Sequence, residues 1–174
     1  MSVAIAEGTA DEAEAALDGL ASVLHAAVLA GASVGFVLPF ALDEARAFWA
    51  GLLPSIRAGD RRLLLARRDG AIVGTVQLVL ARQPNGPHRA EVAKMRVHPA
   101  VRRLGIARAL MLALEDVARR EGRTLLVLDT ASAAAEDLYG SLGYRSIGHV
   151  PGYALTIHGV PEATHIMAKH LANA

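Results

Sequence analysis

The segment Val97-His98-Pro99-Ala100-Val101-Arg102-Arg103-Leu104-Gly105-Ile106-Ala107-Arg108 constrains this chain more than any other. Ahead of it an apolar, strand-like run, Arg89 to Val97, ends at a proline. Behind it Ile106, Leu110, Leu114 and Val117 recur at the spacing of an amphipathic helix that stops at Gly122. A strand must therefore pass through a short turn into a helix. The first N–H groups of such a helix have no intrahelical partner, and the positive end of its dipole reinforces them. Lys94, Arg96, Arg102, Arg103 and Arg108 crowd the same place, with no acidic residue between the first and the last. Gly105 and Ala107 are small where an anion must approach the main chain. The pattern predicts a phosphate cradle at a helix N-terminus.

At 174 residues and 53% hydrophobic composition the chain is expected to form one domain, 1–174, with a substantial core. Eighteen basic residues nearly balance seventeen acidic ones, for a net charge of +1. With three Phe, three Tyr and one Trp for stacking, nucleic acid is not an expected partner. The Ala-rich stretch 13–30 is broken by Glu14, Asp18 and His25, so it does not read as a membrane span. Met1 to Gly8 lacks the basic and apolar parts of a secretory signal, and the expected location is the cytoplasm. There is no cysteine, which excludes disulfides, thiolate metal ligands and a cysteine nucleophile. The seven histidines show no metal-binding spacing, and no metal is expected. His98 faces the turn and is a weak candidate for phosphate contact.

The remaining elements follow from periodicity and turn chemistry. Val3 to Ala6 reads as a strand, and Leu17, Leu20, Ala21, Leu24 and Val28 as one face of a helix ending near Gly31. A loop, Gly31 to Phe36, leads to a second helix with Asp43 as N-cap, running toward Leu53; its apolar side is Phe48, Trp49, Leu52 and Leu53. Leu63–Ala66 and Ile72–Leu80 form a hairpin about Asp69-Gly70. Thr124–Leu128 reads as a strand, Ala133–Leu142 as a helix ending at Gly143, and Tyr144–Val150 and Thr164–His170 as the last strands.

Arg102-Arg103-Leu104-Gly105-Ile106-Ala107 resembles the acetyl-CoA-binding motif of the GCN5-related N-acetyltransferases, Arg/Gln-x-x-Gly-x-Gly/Ala. Ala135-Glu136-Asp137-Leu138-Tyr139-Gly140-Ser141-Leu142-Gly143-Tyr144 is similar to that family's Ala-x-x-x-Tyr-x-x-x-Gly-Phe/Tyr segment. The resemblance runs over essentially the whole chain. It implies an α/β (α+β) fold: a single mixed central sheet of six to seven strands flanked by about four helices. It also implies acetyl-CoA as cosubstrate, held by Met95, Arg96 and Val97 along the strand and by Arg102, Arg103, Leu104, Gly105, Ile106, Ala107 and Arg108 at the turn. Tyr139 would protonate the departing thiolate. Where the family usually has an asparagine this chain has Ser132, either a cofactor contact or an N-cap. Glu91 stands where the family often has a carboxylate that removes the amine's proton. Asp129, closing the apolar run Leu125–Leu128, would border the acceptor with it.

Further segments, Gly31–Phe36, Gln83–Gly86, Arg89–Val92, Leu128–Thr130 and Pro151-Gly152-Tyr153, resemble family members that acetylate an amino-acid-like toxin; the first and last would be loops beside the acceptor. The resemblance implies acetyl transfer to the primary amine of a small, amino-acid-like or toxin-like molecule; with no cysteine to carry an acyl group, direct transfer is the expected route, by a monomer or homodimer. Acetylation of a protein N-terminus or lysine and a non-catalytic CoA sensor stay open as alternatives.

Overall fold

A computed structural model describes residues 3–32 and 34–172. Its centre is a seven-stranded sheet in the order β1-β2-β3-β4-β5-β7-β6, formed by β1 (Val3–Gly8), β2 (Arg61–Arg68), β3 (Ala71–Leu80), β4 (Arg89–Val97), β5 (Leu125–Thr130), β6 (Arg145–Leu155) and β7 (Pro161–His170). All neighbours are antiparallel except β4 and β5. Helices α1 (Ala10–Ala15), α2 (Leu17–Leu29) and α3 (Leu42–Arg57) precede β2, while α4 (Ile106–Arg120) and α5 (Ala133–Ser141) flank β5 in sequence.

Two apolar layers sandwich the sheet. On one face Leu20, Leu24, Trp49 and Leu53 of α2 and α3 pack on Leu63, Leu65 and Ile72. On the other, Ile106, Leu110, Leu114 and Val117 of α4 pack on Leu64, Val76, Leu78, Ala90 and Val92, joined by Tyr139 of α5 and by Leu142 just after it. Alternate residues of β2 thus feed opposite cores, as the period of a strand requires. The predicted helical stripe 106-110-114-117 is the buried face of α4.

Several boundaries differ from expectation. A short helix, α1, precedes the first expected one; six residues are too few to show a period. Its signal is Thr9-x-x-Glu12, where Thr9 Oγ1 accepts the Glu12 N–H at 3.2 Å and the Glu12 carboxylate accepts the Thr9 N–H at 2.8 Å. Asp43 is not the N-cap of α3. That helix starts at Leu42, and the Glu44 carboxylate accepts the Ala41 N–H at 2.7 Å. Pro151-Gly152-Tyr153 is not a loop but an irregular stretch of β6, where the register to β7 shifts between Val150 and Ala154. Of the loop expected at Gly31–Phe36, Ser33 lies outside the described residues.

Candidate active site

β4 and β5 pair only from Arg89–Leu125 to Glu91–Val127 and then part. The cause is visible on the other edge of β4. Thr75 pairs with Arg96 and Gln77 with Ala93, so Lys94 and Met95 together oppose the single residue Val76. This bulge, with Lys94 at φ 51°, turns β4 away from β5. The gap opens into a cavity of about 940 Å³ lined by Glu91 to Val97, Arg102, Arg103, Gly105 to Arg108, Asp129 to Ser132, and Leu138 and Tyr139 of α5; Leu104, expected with them, is exposed and does not line it. Thr130 is the end of β5, so Asp129 lies within the strand, one residue deeper than expected, and it is exposed.

The turn before α4 has the geometry its sequence suggested. One 3₁₀ turn, Pro99–Val101, carries the chain off β4, with His98 Nδ1 accepting the Ala100 N–H at 3.2 Å. Arg103 at φ 64° and Gly105 at φ 76° then reverse it into the helix. Among the described residues, no backbone N–H from Arg103 through Arg108 has a partner within the chain; the first, Ala109 N–H, donates to Gly105 O at 3.0 Å. Apart from its immediate chain neighbours, no described atom lies within 4 Å of the point a Gly105 Cβ would occupy. The helix end is therefore an open row of donors facing the cavity. On the β4 side, Arg96 and Val97 pair with β3 through one edge, which leaves the other edge of the strand bordering the gap.

Tyr139 is buried, 6% exposed, with its ring 5.8 Å from that of Tyr144. Burial pushes its hydroxyl up to about 12; the nearby Arg96 cation opposes that rise and Asp129 adds to it. Ser132 caps α5: its Oγ accepts the Ala135 N–H at 3.4 Å, and its own N–H donates to Thr130 Oγ1 at 3.1 Å. It still lines the cavity.

Three charged side chains at the cavity go beyond the sequence reading, which has Lys94 and Arg96 only as part of the basic cluster and does not include Glu162. The Arg96 guanidinium is held well below its ordinary value, at about 10, by burial first, partly offset by Tyr139 and Asp129. Its Nε is buried without a partner, while Nη1 donates to Met95 O. Lys94 is lowered by burial and by Arg96, with Asp129 and Glu91 opposing. It reaches across to the α2–α3 connection, where its Nζ donates to Val34 O at 2.9 Å and lies 5.9 and 5.8 Å from the Phe36 and Phe48 rings. Glu162 of β7 lines the cavity with Tyr153 and Thr164, one of its oxygens buried and unpartnered. Two basic residues inside the apolar run 92–97 were a signal; Glu162, after a proline in a polar stretch, offered none. Among the described residues no cluster of metal ligands occurs, and no helix is long and apolar enough to cross a membrane.

An uncharacterized N-acetyltransferase of the hisH–hisA intergenic region of Azospirillum brasilense is 36% identical over 115 residues, 65% of this chain and 67% of that protein. Three curated relatives, this one among them, are spanned over 46% to 67% of their length. The fold is that of YncA from Salmonella typhimurium, solved with its cofactor acetyl-CoA, at TM-score 0.78 and 20% identity over 100% of this chain and 96% of that one. It is equally that of a phosphinothricin acetyltransferase of Sinorhizobium meliloti in complex with acetyl-CoA, at TM-score 0.80 and 20% identity over 99% and 90%. The family model of the acetyltransferase (GNAT) family matches residues 31–144, which include the open turn, the split between β4 and β5, and Tyr139: the chain belongs to that family.

Proposed function

We propose that the protein transfers the acetyl group of acetyl-CoA directly to the primary amine of a small, amino-acid-like molecule. The observation that carries this reading is the row of unpartnered N–H groups from Arg103 to Arg108, beside a gap between two strands. These residues fit the cosubstrate. A pyrophosphate needs convergent donors and close approach to the main chain, which the turn and Gly105 provide, with Arg102, Arg103 and Arg108 adding positive charge. The free edge of β4 at Met95 to Val97 suits an extended amide-bearing arm. Bound there, the cosubstrate supplies a thioester as the acyl source.

The residues around the gap then divide the chemistry. Attack needs a neutral amine, which at neutral pH means losing a proton to a nearby carboxylate or to water. Glu91 and Asp129, both exposed at the cavity, are the groups for that task. Tyr139 presents its O–H to the departing sulfur. With no cysteine in the chain there is no thiol to carry an acyl-enzyme intermediate, and direct transfer is the simplest remaining route. Support for a small acceptor comes from the segments between Gly31 and Tyr153 whose sequence is similar to toxin-acetylating members of the family, and from the fold shared with a phosphinothricin acetyltransferase.

A second reading is a peptide N-terminus as acceptor, favoured by Glu91, Asp129 and Glu162 lining one open groove. One assay separates the two: acetyl-CoA-dependent thiol release with amino acids, β-lactam amino acids and N-terminal peptides. The Gly105→Val variant tests the cradle itself. At φ 76° a branched side chain is strained, and its methyls fill the space over the free N–H groups. Acetyl-CoA affinity should fall about tenfold or more; full thermal stabilisation of the variant by acetyl-CoA would sink the assignment.

A further inference from the structure

We infer that the Arg96 guanidinium receives the negative charge of the departing sulfur, so that CoA leaves as a thiolate held between Arg96 and Tyr139. The inference rests on the proposed placement of the leaving group at Tyr139. It starts from a cation in an unusual state. Arg96 sits on β4 beside the gap, and among the described residues it forms no ion pair. Its one side-chain partner is the carbonyl of its own neighbour, Met95, and its Nε is buried with none. A buried, half-satisfied guanidinium is costly to keep unless an anion arrives to complete its hydrogen bonds.

The surroundings say where that anion forms. The polar and charged groups near Arg96 are Tyr139 of α5, Asp129 of β5, Arg102 of the turn and Lys94 on its own strand. Asp129 is exposed and pairs with no cation by contact, and Tyr139 carries no charge at working pH. Tyr139 also holds its proton more tightly than a thiol does: its hydroxyl is pushed up to about 12, whereas a free thiol ionises near 8.5. A neutral hydroxyl hydrogen-bonds a thiolate but does not neutralise its charge, which a neighbouring cation does.

The step then balances. The amine lone pair forms the N–C bond, the C–S bond breaks, and sulfur keeps the electron pair. The amine's proton leaves through Glu91 or Asp129 to water. Arg96 and the Tyr139 O–H both donate to sulfur, and the thiolate departs or is protonated from solvent.

The test is an ultraviolet titration of the thiolate of CoA bound to the protein, with binding itself checked by calorimetry. In the parent enzyme the bound thiol should be at least about tenfold more acidic than free CoA, the scale of a nearby opposite charge. Arg96→Met and Arg96→Gln should both lose this, and turnover should drop about 10²-fold with little change in acceptor KM. Arg96→Lys should retain the acidity in part. Two neutral variants keep the test sound if one does not fold. A bound thiol no more acidic than free CoA, or one unchanged in both neutral variants, overturns the inference. So does a raised acceptor KM with unchanged thiol acidity, which would make Arg96 an anchor for the acceptor. Tyr139→Phe with normal turnover would instead remove the Tyr139 assignment, leaving the titration of the Arg96 variants to judge Arg96 separately.

Discussion

A phenol pushed up to about 12 stays protonated at every pH at which an enzyme of this kind works, so Tyr139 is always ready to donate. Tyr139→Phe keeps the ring against Tyr144 and removes only the O–H. Turnover should fall about 10²-fold with acetyl-CoA affinity nearly unchanged. An unchanged rate under conditions where chemistry limits turnover would show that Tyr139 only packs. The carboxylates call for a different measurement, because they act on the acceptor's proton. Glu91→Gln and Asp129→Asn should each raise acceptor KM or shift the pH–rate profile, and the double variant should do more. Profiles of all three that overlay the parent's would leave solvent as the proton acceptor. Asp129 lies inside β5 and is exposed, so its place at the cavity comes from the parting of β4 and β5 and not from closing a buried strand.

At the scale of elements, the site depends on β3, β4 and α4 keeping their spacing. Gly74 of β3 is where they meet. A Cβ there would stand 3.0 Å from Arg96 O, 3.2 Å from Leu110 Cδ1 and 3.4 Å from Ile106 Cγ2. The first of these is main chain and cannot turn aside. Gly74→Val should therefore press β4 and the first turn of α4 apart, at a cost of about 1–3 kcal/mol. Denaturant unfolding should show the loss, and acetyl-CoA affinity should fall with it, because the open N–H row and the β4 edge move relative to each other. A Gly74→Val protein as stable as the parent would mean that the sheet absorbs the side chain elsewhere. Lys94 makes a second link of this kind, tying the β4 bulge to Val34 and to the aromatic group Phe36, Phe40 and Phe48.

Across the whole molecule, the helix behind the open turn is tied to the far side of the gap by a buried ion pair. Glu115 of α4 is 2% exposed, and its two oxygens lie 2.8 and 2.7 Å from Lys169 Nζ on β7, with Arg119 at 3.5 Å. Lys169 also lies 5.5 Å from the Tyr144 ring. Glu115→Gln leaves a largely buried ammonium without its counter-charge. The expected loss is about 3 kcal/mol, or roughly 6–12 °C in Tm for a chain of this length. Pairing Glu115→Leu with Lys169→Met should recover much of it, since apolar replacement of both partners is often neutral. A Glu115→Gln protein that melts with the parent would show that the pair contributes nothing net.

The local features were legible because they are local. Hydrophobic period placed α4, Asp69-Gly70 placed the β2–β3 hairpin, and the small and basic residues of the 102–108 stretch marked an open turn into α4 without any knowledge of the sheet. Period could not find α1, which is under two turns long, or place the start of α3, where a glutamate side chain rather than Asp43 caps the helix. The rest of the site was beyond sequence for a different reason. The bulge at Lys94–Met95 comes from mismatched register with β3, and it is this long-range pairing that parts β4 from β5 and buries Arg96 beside Tyr139. Glu162 reaches the same cavity only because β7 pairs between β5 and β6. Burial, and the electrostatics that follow from it, depend on which strands become neighbours, and only the tertiary structure decides that.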